Sequence, residues 1–407
     1  NFNGKLFVVN PKEKTVQNQQ CFATVDELPE VDMAIISISS KYVIDAVKTL
    51  GYKKNTKAFI VLSAGFSEVN DEGKILEKEL VKIIKEINGS LIGPNCMGVL
   101  TPFYAGTFAG PVPKLDKNGC DFATGSGATA AFILENGIKM GLTFSSMFSV
   151  GNSALIGVED IIKYWDENFD ENSAKTKMIY MEKIDKPTVF LKHCQSLIKK
   201  GCKIAAIKSG TSEAGSRAAS SHTGALASSD LSVDALFKKA GIVRCFGRDE
   251  LVLAASVLQH KELKGKRIAV ITHAGGPGVM ITDELSKGGF EIPHIEGEKA
   301  DELLSKLFAG SAVGNPIDFL ATGTAEQLGI IIDYVDNYFD NINGMVVIFG
   351  SPGLFDVSDV YKVLSNKMNT AKKPIYPVLP SIVTAGKEVD YFLSLGRIAF
   401  FDEVNFA

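Results

Sequence analysis

Short apolar runs alternate with longer amphipathic ones along nearly the whole chain. The runs KLFVVNP (5–11), MAIISIS (33–39), AFIVLSA (58–64) and SLIG (90–93) are apolar and rich in β-branched residues, as strands buried on both faces are. Between them, KYVIDAVKTLGY and KILEKELVKIIKEING repeat Val, Ile and Leu at three- and four-residue steps, the period of a helix with one apolar face. The second closes on Asn-Gly, a helix stop. This rhythm predicts an α/β fold with a mostly parallel sheet covered on both sides.

The Pro- and Gly-rich stretch TPFYAGTFAGPVPKLDKNG (101–119) interrupts the rhythm and reads as a linker. The rhythm resumes with CDFAT, LTFSSMFSV, KTKMIYME and CKIAAIKSG, and reaches a helix end and charged linker at 255–266. It restarts with RIAVITHAGGPG, GMVVIFGSPG and KPIYPVLP. Three α/β domains are expected, over 1–118, 119–262 and 263–407. The first residues start in mid-pattern without a Met, so a longer N-terminus is expected upstream.

Composition narrows the function classes. The 407 residues are 45% hydrophobic and 22% charged, an ordinary globular balance. A net charge of -4 and a pI of about 5.9 argue against nucleic acid as a partner, because phosphate-backbone binding needs a basic face. No apolar run approaches the roughly 20 residues of a membrane span, and no signal peptide is seen. The six cysteines form no CxxC pair and none has His at zinc spacing, so no metal site is expected and reduced cytoplasmic thiols are.

Candidate chemistry lies in three places. The second domain opens as a strand, the turn Thr124-Gly125-Ser126-Gly127, and an Ala-rich helix. The third opens alike, with Gly275-Gly276-Pro277-Gly278. Free N–H groups and the dipole at each helix start favour an anion, so Ser126, Gly127, Gly275, Gly276 and Gly278 are phosphate-binding candidates. Neither turn has the GK[ST] of a triphosphate loop. The third place is His222, in SRAASSHTGALASSD (216–230), which reads as a long loop of small residues able to detach. Imidazole is a competent nucleophile toward phosphorus, and a carboxylate on its second nitrogen would fix the tautomer. Glu182, at the end of the apolar run KMIYME, is the candidate.

Taken in order, GPNCMGVLTP (93–102), TGSGATAAF, SVGNSALIGVEDIIKYW, MEKID and SGTSEAGSRAASSHTGALASSD resemble the α part of the nucleoside-diphosphate-forming acyl-CoA synthetases, relatives of succinyl-CoA synthetase. The resemblance implies a Rossmann-like CoA-binding domain lacking its first strand, followed by two flavodoxin-like parallel-sheet domains. It implies interconversion of acyl-CoA, ADP and phosphate with free acid, CoA and ATP, through an acyl phosphate and a phosphohistidine. His222 would carry the phosphoryl group and Glu182 would stabilise it, with the two Gly-rich helix ends holding the anion.

Coenzyme A would lie against Lys12, Ser39, Pro94, Asn95 and Cys96. Lys12 can reach a phosphate, and residues 94–96 form a rigid turn. Asn152, in SVGNSA (149–154), either orients a substrate carboxylate or caps the next helix. No ATP-grasp sequence is present, so ADP/ATP and Mg would bind a partner, an ATP-grasp β subunit or fused domain, in an oligomer. The resemblance departs at Gly125, where Gln is usual, and at Ser228, where Gly is usual. The alternative is a non-catalytic CoA-binding module of a protein acyltransferase fusion.

Overall fold

The structure, a computed structural model, describes residues 2–223, 229–351 and 356–407; the side chains of 220–223 lie outside that description. The chain forms two compact units. One holds 1–136 and 143–255, and the other 137–142 and 256–407.

The first unit begins with two small sheets. Strands β1 (Val8–Val9), β2 (Thr15–Val16) and β3 (Gln19–Phe22) pair in the order β1-β3-β2, and β4 (Met33–Ile36), β5 (Ala58–Val61) and β6 (Ser90–Ile92) pair in parallel. Helices α1 (Ser40–Lys53) and α2 (Asp71–Glu86) connect the latter strands. Val43, Val47 and Leu50 of α1 and Leu80, Ile83 and Ile84 of α2 are buried, at the three- and four-residue steps that the sequence shows. The Asn70 side chain caps α2 by accepting from the Gly73 N–H at 2.8 Å, and Asp71 and Glu72 suit the positive end of the helix dipole. The predicted Asn-Gly stop is there: Asn88 adopts φ 52°.

The same unit contains a seven-stranded sheet of β7 (Gly98–Leu100), β8 (Ala105–Thr107), β9 (Leu115–Thr124), β10 (Phe144–Ser149), β11 (Thr176–Met181), β12 (Lys203–Lys208) and β13 (Val243–Cys245). Its order is β13-β12-β11-β9-β10-β7-β8. Strands β9 to β13 are parallel, and β7 and β8 add an antiparallel hairpin beside β10. Part of the stretch expected as a linker is therefore sheet. Its strand residues are Ala105-Gly106-Thr107, too small to give a periodic apolar signal, and the polar, largely exposed start of β9 from Leu115.

Helices α3 (Gly127–Lys139), α4 (Val158–Glu167), α5 (Pro187–Lys199), α6 (Glu213–Thr223), α7 (Asp230–Ala240) and α8 (Arg248–Leu258) complete the connections. Helix α6 corrects the expected loop around His222. Ser212 caps it, its hydroxyl accepting from the Gly215 N–H at 3.0 Å, and Glu213 pairs with Arg217 one turn on at 3.3 Å. Alanines 214, 218 and 219 are strong helix formers, so a run of small residues here is helical.

The second unit has a four-stranded parallel sheet of β14 (Ile268–Thr272), β15 (Ile317–Asp318), β16 (Gly344–Ile348) and β17 (Ile375–Val378), in the order β15-β14-β16-β17. Helix α9 (Gly275–Lys287) follows β14. Strands β14 and β16 are buried at every position, as two-sided cover requires.

In both larger sheets the opening strand, β9 or β14, lies between the next strand and the one after it. The strand order reverses there, leaving a crevice at the carboxyl ends of β9 and β11 and of β14 and β16, the usual ligand position in such sheets.

Candidate active site

At the crevice of the seven-stranded sheet the chain turns sharply from β9 into α3. The Thr124 hydroxyl accepts from the Ser126 N–H at 3.1 Å and donates to the Ser126 carbonyl at 3.0 Å. The Gly125 N–H donates to the Tyr180 carbonyl on β11, at 3.1 Å. The Ser126 hydroxyl caps the helix toward Thr129. The first-turn N–H groups of Gly127 and Ala128 then have no acceptor within the helix and sit at its positive end. A Cβ on Gly125 would meet nothing within 4 Å, so a larger residue also fits there.

Opposite this turn, β11 ends at Met181 and leads to Glu182. Both Gly125 and Glu182 line one cavity of about 40 Å³, together with Asn95, Gly151, Asn152 and Glu159. Glu182 is half-buried, and its Oε1 lies 3.4 Å from the Tyr180 hydroxyl. Burial pushes the Tyr180 hydroxyl pKa up, and the Glu182 charge adds to that.

The loop after Glu182 is fixed from below. Glu159, in the first turn of α4, is 4% exposed and accepts from the Asp185 N–H at 2.7 Å and the Lys186 N–H at 3.0 Å. Sequence reasoning missed this residue, because an acid in a first helical turn normally signals only the helix dipole.

The loop after β6 closes another side of the cavity. It holds a cis Gly93-Pro94 bond and places Asn95 at φ 56°. Gly151, at φ 55°, packs directly on it: a Cβ there would lie 2.3 Å from the Pro94 carbonyl oxygen. Pro94 and Cys96 are buried, and the Cys96 sulfur donates to the Val61 carbonyl at 3.3 Å. Burial pushes that thiol up to about 12.

Asn152 does not cap α4, whose N-cap is Gly157. Its side-chain amide instead donates to Glu68 at 2.6 Å, Glu77 at 2.9 Å and Ser67 at 3.2 Å, and its carbonyl accepts from Asn95 at 3.3 Å. Burial raises the Glu68 carboxyl, but the Asn152 amide and the N–H groups of Gly65 and Phe66 outweigh it and hold the group below the usual range. Glu68 of the β5–α2 connection and Glu77 of α2 thus anchor the turn that lines the cavity. Lys12 and Ser39 are exposed, Ser39 just ahead of α1.

His222 is the penultimate residue of α6, and its side chain lies outside the described part of the structure. So does Ser228. Among the described residues, no cluster of three or more His, Cys, Asp or Glu is placed to hold a metal, and no helix is long and apolar enough to cross a membrane.

The second Gly-rich turn repeats the first in detail. The Thr272 hydroxyl accepts from the Ala274 N–H at 3.0 Å and donates to the Ala274 carbonyl at 2.8 Å. A Cβ on Gly278 would come within 2.9 Å of Thr272, so α9 packs closely on its strand, whereas Gly276 has open space. The shared Thr, three residues before the first residue of each helix, is a signal visible in the sequence.

Comparison with known proteins follows these features. Residues 2–102 match the family described as CoA binding domain, and residues 117–258 the succinyl-CoA ligase like flavodoxin domain. Subunit alpha of the ADP-forming acetate–CoA ligase II of Pyrococcus furiosus is 36% identical over 325 residues, 80% of this chain and 70% of that protein. ADP-forming acetate–CoA ligase I of Archaeoglobus fulgidus is 34% identical over 330 residues, 80% of this chain but 47% of that protein. The structure of the acetyl-coenzyme A synthetase 1 of Ca. Korarchaeum cryptofilum, in complex with phosphate and ADP, superposes with a TM-score of 0.87 at 25% identity. That match covers all of this chain and 87% of that one.

Proposed function

The chain belongs to the ADP-forming acyl-CoA ligase family, and from that membership we propose that it performs the acyl-CoA half of the reaction. Phosphate attacks the thioester carbonyl, the C–S bond breaks, and CoA leaves as an acyl phosphate forms. A His222 nitrogen then attacks phosphorus and the carboxylic acid departs as its anion. Glu182 accepts the N–H of the second ring nitrogen and stabilises the phosphoimidazole. In the first unit the amides at the start of α3, beside Ser126 and Gly127, bind the phosphoryl oxygens; in the second, the start of α9 at Gly275, Gly276 and Gly278 offers a phosphate site of the same kind.

Lys12, Ser39 and the turn of Pro94, Asn95 and Cys96 hold CoA. Asn152 shapes the acyl pocket through its anchored turn rather than by a free amide. The phosphoryl group passes to ADP, with Mg, on an ATP-grasp subunit or domain; the substrate is a small carboxylic acid.

The cavity at the reversal of strand order carries this reading, since one small space is lined by both Glu182 and the turn that opens α3. With labelled phosphate and acetyl-CoA, the chain should take up label on His222. His222→Asn should take up none, and Glu182→Gln should label on the order of 10² more slowly. Label retained by His222→Asn would refute the assignment.

A further inference from the structure

The second unit has its own crevice between β14 and β16, and its contents differ from those of the first. The register pairs Tyr180 with Thr124 and Ile348 with Thr272. By that correspondence His273 stands where Gly125 does, and Gly350 stands where Glu182 does. The His273 ring lies across the strand ends, 4.3 Å from the Phe349 ring, and is 9% exposed.

Its two nitrogens are unequally served. The Gly350 N–H donates to Nε2 at 2.8 Å, so a neutral ring carries its proton on Nδ1. Burial holds the ring's pKa below its usual value, which keeps it neutral. Nδ1 has no hydrogen-bond partner among the described residues. A buried donor without an acceptor is costly and rare, and calls for an explanation.

The surroundings supply one. Asp318 ends the neighbouring strand β15, and its charge reaches the His273 ring. Asp318 Oδ1 accepts from the Leu320 N–H at 2.9 Å. Its Oδ2 lies 3.4 Å from where a Cβ on Gly275 would be, so the carboxylate sits against the first residue of α9. A helix start with a neutral N–H donor on one side and a carboxylate on another fits an oxyanion that keeps a proton. Unprotonated oxygens accept from Nδ1–H and the first-turn amides, and the protonated oxygen donates to Asp318. Orthophosphate keeps a proton at neutral pH, whereas sulfate has none to give.

We propose that His273, Asp318 and the first-turn amides of α9 form a subsite selective for hydrogenphosphate, the imidazole donating and the carboxylate accepting. The proposal rests on the reading of the α9 end as a phosphoryl site and adds the side chains that make it selective.

The test uses the full chain with inorganic phosphate and sulfate, followed by long-range ¹H–¹⁵N spectra of its five histidines. The His273 signals should show an Nδ1–H tautomer, shift on addition of phosphate, and titrate roughly tenfold more tightly with phosphate than with sulfate. His273→Leu should weaken phosphate binding at α9, read from the Gly276 amide, about tenfold or more. His273→Asn, whose carbonyl can face Gly350 and whose amide can donate, should retain it. Asp318→Asn should bring sulfate to within about threefold of phosphate.

Phosphate that binds at Gly276 equally in wild type, His273→Leu and Asp318→Asn would overturn the side-chain assignment and leave the α9 reading standing. Equal wild-type affinity for sulfate would do the same. Absence of any phosphate-induced shift at both Gly276 and His273 would overturn both.

Discussion

Glu159 is buried in the first turn of α4 and holds two backbone N–H groups of the loop that bears Glu182. Removing its carboxylate orphans both, at about 1–3 kcal/mol. Glu159→Ala should slow His222 labelling about tenfold with CoA affinity unchanged, and Glu159→Gln, which keeps an acceptor, should recover most of the rate. Cys96 gives a second check at this scale. A thiol pushed up to about 12 has almost no thiolate at pH 8, so mass spectrometry after iodoacetamide should find Cys96 unmodified in the folded protein. His273 gives a third. Its folded pKa is lowered, so below the unfolded value of about 6.5 the unfolded state binds a proton that the folded state does not. The second unit should therefore keep this contribution above about pH 6.5 and lose stability as the pH falls below it. Melting curves of His273→Asn should show a weaker loss over that range.

Much of the element pattern was legible because the buried parallel strands read as continuous apolar runs and α1 and α2 carry a clear helical stripe. What was missed has physical causes. Helix α6 exposes most of its described residues and has no apolar stripe to read; its cap and its Glu213–Arg217 pair are the local reasons it forms. Strand β8 is too small and Gly-containing to show alternation. Glu182 and the α3 turn could be found from chemistry alone, but Glu159, Glu68 and Glu77 act through contacts distant in sequence. Two glycines test the turns. Gly151→Ala, with φ 55° and a Cβ 2.3 Å from the Pro94 oxygen, should destabilise the first unit by about 1–3 kcal/mol in denaturant unfolding. Gly125→Gln, entering open space, should leave that unfolding unchanged.

At the scale of the molecule, the chain corresponds to 70% of one relative, an alpha subunit, and to 47% of the longer one. On the proposed reading, nucleotide binding falls to an ATP-grasp partner. Supplied with acetyl-CoA, phosphate, ADP and Mg, the chain alone should form phosphohistidine but no ATP, and luciferase should detect ATP once an ATP-grasp partner is added. The turn from β9 into α3 has one more consequence. Its only side-chain hydroxyls, those of Thr124 and Ser126, are engaged in shaping the backbone, which leaves peptide dipoles to meet the incoming group. Peptide dipoles do not titrate in the working range of an enzyme. Their grip varies with acidity only as the captured species itself changes charge, so loading and unloading draw on the same unbiased cradle, as a freely reversible transfer requires.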